Sequence, residues 1–317
     1  MNLFVTGGAG FIGSTFCDSA LSRGHAVTCF DDFSTGKELF LAEAGRSDRF
    51  RLVRADIRDL PQIHGAMEAA RPDWVAHFAA NADVRRGTER TRRDLEINTI
   101  GTWTVLEAMR LAGASRLLFT STGSVYGEPA VFPTPEDAPF PEQTSLYGAS
   151  KLAGEGLVSA YSHGFGMTGV VFRLVSVLGP RYTHGHVFDF VRGLRRDPTR
   201  LDVLGDGNQT KSYLHVQDLI AGFWTAIERA RPGPSVYNIG HDDTLIVRES
   251  VRIICAKLGV SPDVVYGGGT RGWVGDSPRI QLDTRKIRAL GWAPRHGLPE
   301  AVSDTVEYLL ANPELFG

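Results

Sequence analysis

The sequence predicts an α/β protein, a doubly wound parallel sheet with a smaller α/β domain drawn from the second half of the chain. Three observations carry this expectation. Short β-rich runs alternate with helical stretches through the first half, as in a parallel sheet with helices on its faces. A glycine-rich turn follows the first of these runs and opens a helix. The length of 317 residues, with 42% hydrophobic and 22% charged, suits one large or two moderate domains around a substantial core.

Composition also excludes several classes. A formal net charge of −2 gives no footprint for nucleic acid or an anionic membrane. Cys17, Cys29 and Cys255 are scattered and odd in number, without metal spacing or a disulfide framework, so the expected location is a reducing cytoplasm. No basic segment precedes the short apolar start, and no run approaches the ~18 apolar residues of a membrane span. No repeat or low-complexity tract is present.

The first strand, Leu3-Phe4-Val5, runs into Thr6-Gly7-Gly8-Ala9-Gly10-Phe11-Ile12-Gly13. Gly7, Gly10 and Gly13 fit G-x-x-G-x-x-G; Gly8, Gly10 and Gly13 also fit G-x-G-x-x-G. Such glycines serve a tight turn, backbone approach to a pyrophosphate and close helix–strand packing. The phosphates then rest on the helix N-terminus. The following helix closes at Arg23-Gly24, which completes the strand–turn–helix context of a Rossmann-like dinucleotide site. The second strand, residues 26–30, ends in Asp31-Asp32. A carboxylate there accepts from both adenosine ribose hydroxyls and repels a 2′-phosphate. No cation follows until Lys37, so the expected cofactor is NAD rather than NADP.

Further strands are expected at residues 50–54 and 74–79, with a helix over 60–71 between them. Asp56-Ile57 follows the third strand, where an adenine amino group needs an acceptor. His77-Phe78-Ala79-Ala80 ends the fourth with small residues where a cofactor passes, and His77 itself reads as a packed strand-end histidine. Residues 94–112 read as a long helix closed by Gly113. Ile97, Ile100, Trp103, Leu106 and Met109 mark one side, and Leu95, Val105, Ala108 and Leu111 another. Such a helix is expected to bury itself against both the sheet and a second subunit, making a homodimer. Asn98, its polar exception, needs a hydrogen-bond partner. A fifth strand, residues 117–120, leads into the hydroxyl-rich loop Ser121-Thr122-Gly123-Ser124-Val125-Tyr126-Gly127, at the strand end where open α/β sheets bind ligands. Residues 128–143 hold five prolines and are expected to be irregular.

Tyr147-Gly148-Ala149-Ser150-Lys151 comes next. Tyrosine and lysine four apart share one helix face. Of eight tyrosines only Tyr147 has a lysine at that spacing. A lysine ammonium favours phenolate, so the Tyr147 pKa is expected to fall from its reference of about 10. Reaching neutrality takes ~3 units, roughly 4 kcal/mol, more than one lysine supplies. An oxidised nicotinamide ring would be the second cation.

On the glycine motif, Asp31, Asp56-Ile57, His77-Phe78-Ala79-Ala80, Asn98, the loop from Thr122 to Tyr126 and the Tyr147/Lys151 pair, in this order, the chain resembles the extended short-chain dehydrogenase/reductase family. The likeness is to its NAD-dependent nucleotide-sugar epimerases, such as UDP-glucose and UDP-glucuronate 4-epimerases, and to its dehydratases. The resemblance implies that Tyr147 is the acid/base, that Lys151 holds the ribose, and that Thr122 hydrogen-bonds the reacting sugar hydroxyl. It places NAD along Gly7, Gly10, Phe11, Ile12, Asp31, Asp32, Ser34, Thr35 and Gly36. The cofactor continues past Asp56, Ile57, Phe78, Ala79, Ala80, Asn98, Thr120, Tyr147, Lys151, Leu174 and Val177.

The implied chemistry has tyrosinate remove a secondary hydroxyl proton while hydride passes to NAD⁺. The resulting 4-keto sugar rotates and takes the hydride back on its other face. The family's 4,6-dehydratases carry Asp-Glu directly after the threonine; here Gly123 and Ser124 stand there. The glutamate usual in decarboxylating relatives is absent, and no cysteine lies near for a 3,5-epimerase. Inversion at C4 remains.

For the sugar nucleotide, the resemblance points to Thr122, Ser124, Tyr147 and Ser176, the last standing where the family usually has asparagine. Leu204 lies in Val203-Leu204-Gly205-Asp206-Gly207, similar to the segment that encloses the base in UDP-sugar enzymes. Gln209 follows, and Lys211 replaces the family's usual phosphate-binding arginine. Asp276 fits the family's last substrate motif, with Arg271 as substitute for the arginine that Trp273 displaces. The segment from Arg181 to Arg192 closes over the sugar in the family. Val187 and Phe188 suggest a face toward the site, with Arg192 one turn beyond as the cation for a C6 carboxylate. The substrate reading therefore leans to UDP-glucuronate, interconverted with UDP-galacturonate; UDP-glucose/UDP-galactose is the alternative. Since Arg195 and Arg196 continue the basic run, a solvated helix face is the plainer reading of Arg192.

Residues 213–218 are expected to open a helix to Ala230, and residues 237–240 a strand returning to the nucleotide domain. The division expected is 1–175 with 213–243 for NAD, and 176–212 with 244–317 for the UDP-sugar. Two rivals differ in class: a nucleotide-linked 4-ketosugar reductase consuming reduced cofactor, and a non-enzymatic NAD-sensing regulator. The presence of Thr122, Tyr147 and Lys151 argues against the second.

Overall fold

Seven short strands assemble into one parallel sheet. β1 (Asn2–Thr6) pairs with β2 (Ala26–Asp31) on one side and β4 (Trp74–His77) on the other. Outward from these lie β3 (Phe50–Arg54) beyond β2, and β5 (Arg116–Thr122) and β6 (Thr168–Leu174) beyond β4; a seventh strand, Gly233–Ile239, closes the far edge. All six pairings are parallel. The chain winds one way to β3 and then crosses back to β4, so the crevice of this topology opens at the carboxyl ends of β1 and β4. The computed structural model describes residues 1–82, 87–139, 142–269 and 279–316.

Helices cover both faces, as a parallel sheet requires. α1 (Phe11–Ser22) packs on one face, where Phe16 stacks on Trp224 at 5.1 Å. α2 (Leu60–Ala70) contributes Ile63 and Met67 to the other. The long helix expected over 94–112 has three parts: α3 (Thr91–Asp94), a wider π-type turn (Leu95–Ile100), and α4 (Gly101–Leu111). Val105, Leu106, Ala108 and Met109 are buried, whereas Leu95, Ile100, Trp103 and Leu111 are 42–52% exposed. The two stripes thus sort differently from the sequence reading. A row at i, i+3, i+6 drifts ~60° per step around a helix, which parts Trp103 from Met109. α5 (Leu146–Phe165) completes this face.

The second half builds another core. β7 (Ser176–Leu178) precedes α6 (His186–Arg196), β8 (Arg200–Val203), β9 (Thr210–Lys211) and β10 (Tyr213–His215). α7 (Val216–Glu228) leads into β11, the edge strand Gly233–Ile239. β12 (Leu245–Ile246), α8 (Val247–Leu258), β13 (Asp263–Tyr266), β14 (Arg279–Ile280), α9 (Arg285–Arg288) and α10 (Leu298–Ala311) follow. Val187, Phe188, Val191 and Leu194 of α6 pack with Ile254 of α8 and with Val302, Val306 and Leu309 of α10. Residues 213–215, expected to begin a helix, instead pair with β7. All three are buried, which a strand between two cores achieves and a helix start does not. The helix begins one residue later, where the His215 ring accepts the Gln217 N–H at 3.2 Å. Among the described residues no helix is long and apolar enough to cross a membrane.

Candidate active site

The carboxyl ends of the sheet open into a cleft of about 1230 Å³, walled on the far side by α6 and the loops around β8 to β10. That is larger than one drug-sized ligand needs. Gly7 sits at φ +68, and a Cβ there would lie 2.5 Å from the Ala79 nitrogen. A Cβ on Gly13 would lie 2.1 Å from the Gly7 carbonyl oxygen. Backbone therefore packs on backbone, and no side chain is tolerated at either place. α1 has no side-chain cap at Gly10, and Gly10, Phe11 and Ile12 line the cleft, so its first amides are available to an anion.

Asp31 reaches the same wall. Its Oδ2 accepts from the Ala9 N–H at 2.9 Å and its Oδ1 from the Phe33 N–H at 2.8 Å. Burial pushes this carboxyl up in pKa, and the two N–H bonds pull it back. Each oxygen keeps acceptor capacity for a ribose hydroxyl. These features fit a dinucleotide. Ser34, Thr35, Phe78, Ala79, Ala80, Thr120, Leu174 and Val177 line the cleft as well, as does Lys37.

Six residues expected against the cofactor do not line the cleft, and buried Lys151 is one of them. Asp32 caps the turn by accepting the Ser34 N–H at 2.8 Å. Gly36 lies behind Asp31, where a Cβ would come within 2.9 Å of its Oδ1. Asp56 is off the cleft because Arg58 clasps its carboxylate at 2.6–3.1 Å, holding it below the usual carboxylate pKa. Ile57 is buried against Gly101. Asn98, 1% exposed, is a positioning residue: it accepts the Asn81 N–H at 2.8 Å and donates to Ser150 Oγ at 3.0 Å. It so ties the end of β4 to the helix that carries Tyr147. His77 is packed in the core between Thr6 and Thr102 at 2.7 and 3.0 Å, its pKa lowered by burial to about 3.

Tyr147 is the second residue of α5, whose N-cap Ser145 accepts the Gly148 N–H at 3.0 Å. A Cβ on Gly148 would lie 2.8 Å from the Ser124 carbonyl oxygen, so glycine lets the helix start lie against the hydroxyl-rich loop. Thr122 donates to Ser124 Oγ at 3.2 Å and accepts the Ser124 N–H at 3.1 Å. Lys151 is 1% exposed, its ammonium 4.3 Å from the centroid of the Phe119 ring. Burial acts on both groups, in opposite senses. It pushes the Tyr147 phenol up to about 12, against the Thr122 hydrogen bond, and pulls Lys151 down to about 7, against the charge of Glu155. The protein's own groups thus do not depress the phenol as the sequence reading expected. Desolvation of the phenolate dominates, and the charge of Asp94 adds to it.

Beneath the pair lies a network that the sequence reading missed. Arg173 and Glu155, 3% and 7% exposed, meet at 2.7 Å. Glu155 also accepts from Ser121 Oγ at 2.5 Å, and Arg173 donates to the Tyr126 hydroxyl at 2.6 Å. Two signals were present: an arginine inside an apolar strand, and a glutamate four residues beyond Lys151 on the same helix face.

On the far wall Ser176, Leu204, Gln209 and Lys211 line the cleft, as Ser124 does on the near one. Val187, Phe188 and Arg192 do not. Val187 is wholly buried, and Phe188 stacks on Phe316 at 5.0 Å. The Arg192 side chain is 59% exposed and pairs with Asp189 at 2.9 Å. α6 turns its apolar stripe to the second core and presents His186, Asp189, Phe190, Gly193 and Arg196 to the cleft, none of which the sequence reading chose. Arg90 and Arg93 also line it and were missed. Arg271 and Asp276 lie outside the described residues.

The sequence profile of the NAD dependent epimerase/dehydratase family matches residues 3–240. A UDP-glucose 4-epimerase of Mycolicibacterium smegmatis is 36% identical over 97% of this chain and 98% of its own length. A dTDP-glucose 4,6-dehydratase of Actinoplanes sp. is 34% identical over 98% of both. The crystal structure of a Thermus thermophilus UDP-glucose 4-epimerase in complex with NAD superposes with a TM-score of 0.87 at 33% identity, covering 98% of this chain and 99% of that one. The chain belongs to the NAD dependent epimerase/dehydratase family, and its cofactor is NAD.

Proposed function

We propose that this member of the family interconverts UDP-glucose and UDP-galactose by inverting C4 through a 4-keto sugar. The observation that carries the reading is Thr122 at the end of β5 beside Tyr147 and Lys151 on α5, with no carboxylate in the two positions after Thr122. Gly123 has no side chain, and the Ser124 hydroxyl is engaged with Thr122. The proton shuttle that elimination needs is therefore missing, which separates the chain from its dehydratase relatives.

Bound NAD⁺ would supply the hydride acceptor and a positive charge. The rest falls to the chain. Lys151, poised near neutrality, and that charge together favour the Tyr147 phenolate over the phenol. Tyr147 Oη takes the C4 hydroxyl proton and returns it after the ring has turned; Thr122 holds the same hydroxyl in line. The glycine loop and Asp31 keep the cofactor in place between the two half-reactions, so none is consumed.

The narrower uronate reading needs a cation at the C6 carboxylate. Arg192, which suggested it, faces solvent and is paired with Asp189, so the hexose pair is preferred. A homodimer is supported by the exposed Leu95, Ile100, Trp103 and Leu111, with Leu146 and Phe165 on α5. A cytoplasmic location is supported by three free cysteines.

The test is ¹H NMR of the purified protein with UDP-glucose and no added cofactor. UDP-galactose should accumulate to equilibrium. A 4-keto-6-deoxy product, a requirement for stoichiometric reduced cofactor, or turnover of UDP-glucuronate alone would overturn the reading.

A further inference from the structure

α6 begins at the cleft. Its first residue, His186, lines the cavity together with Gly185, Lys211 and Tyr213. The imidazole is gripped on two sides: it stacks on Tyr213 at 5.2 Å and 30°, and meets Phe190 edge-on at 5.8 Å and 86°. Its Nε2 is shut off from solvent and has no hydrogen-bond partner. A buried polar atom left this way costs roughly 1–3 kcal/mol, so a fixed ring with an idle nitrogen calls for a ligand.

The surroundings say which kind. Gly185, before the helix, adopts φ +95 and provides no side-chain cap, so the positive end of α6 is open toward the cleft. Lys211 on β9 adds a full charge on the same wall. Burial and, after it, the field of Lys211 lower the imidazole pKa to about 4, so the ring is neutral near pH 7. Gln209 Oε1, another buried atom on this wall without a partner, is an acceptor and of no use to an anion.

We propose that His186 binds the diphosphate of the sugar nucleotide through Nε2, beside Lys211 and the open end of α6. The proposal rests on the reading that the cleft takes a UDP-sugar. The doubly charged diphosphate must offset burial first and the field of Lys211 second; where it does, it favours imidazolium and His186 takes up a proton as substrate binds. Tyr213 from β10 stacks on the ring, and Asp189 one turn along α6, His184 from the preceding loop, Arg196, Asp197, Arg200 and Asp202 line the same cleft. Affinity for a UDP-sugar therefore rises as the pH is lowered from about 8 to about 6.

The experiment is calorimetry of the NAD-loaded protein with UDP-glucose, whose diphosphate does not titrate in that range, in two buffers of different ionisation enthalpy. Net proton uptake is expected for the parent protein. His186→Asn should abolish it and weaken binding about ten-fold at the acid end. His186→Arg, which stays charged across this range, should retain affinity with no uptake and so shows that a loss in the asparagine variant is not misfolding. Parent binding without proton uptake, or an asparagine variant that binds as the parent does, overturns the role of His186 and leaves the UDP-sugar reading standing. No binding of UDP-glucose by the parent overturns both.

Discussion

The two walls of the cleft handle buried polarity in different ways. On the sheet side the buried pair beneath Tyr147 is met by the chain itself. Arg173 and Glu155 pair at 2.7 Å, and Ser121 and Tyr126 bond to them in turn. On the α6 side the ion pairs are exposed, Arg192 with Asp189 and Arg200 with Asp202, while His186 Nε2 and Gln209 Oε1 are buried without partners. The Arg173–Glu155 network is organised before any ligand arrives; His186 Nε2 and Gln209 Oε1 are left for a ligand to meet. Chemistry needs fixed geometry, so it stands above that network, and recognition uses the other wall.

The comparison breaks most visibly at Tyr147. Tyr147→Phe should reduce turnover by ~10² to 10⁴, the range for losing a general base, with UDP-glucose binding unchanged because the far wall is intact. Thr122→Val should do less. Steady-state kinetics beside calorimetry checks both, and near-normal turnover in Tyr147→Phe would remove the phenol from the mechanism.

Next in size is the support beneath that wall. Glu155→Ala strands Arg173 inside the protein and should cost ~3–5 kcal/mol of stability, read from a denaturant midpoint. Replacing both partners with apolar residues should recover much of the loss. A single-variant cost below ~1 kcal/mol would mean that water reaches Arg173 and that the wall is not sealed.

The smallest effect is expected on the other side. Arg192→Ala removes one exposed ion pair, worth ~0–1 kcal/mol, and should leave turnover of UDP-glucose within about two-fold. A selective loss on UDP-glucuronate would return Arg192 to the cleft and revive the uronate reading.

The sequence by itself determined the dinucleotide loop, Asp31 and the Tyr147/Lys151 pair. Each depends on spacing within a few residues: glycines where backbone meets backbone, an acid at a strand end, two side chains one helical turn apart. The doubly wound parallel sheet was legible from the alternation of strands and helices along the chain, whereas the order of its strands came from the structure. Tertiary structure alone decided the rest. Periodicity shows that α6 has an apolar stripe, but only the second core decides that Val187 and Phe188 face inward and His186 faces the cleft. Asp56 sits at the expected position in the chain, yet Arg58 takes its carboxylate. A lysine beside a tyrosine predicts a lowered phenol pKa, whereas burial of both pushes the phenol up to about 12. Spacing sets which side chains share a face; desolvation and partners distant in sequence set their charge, and those exist only once the chain has closed on itself.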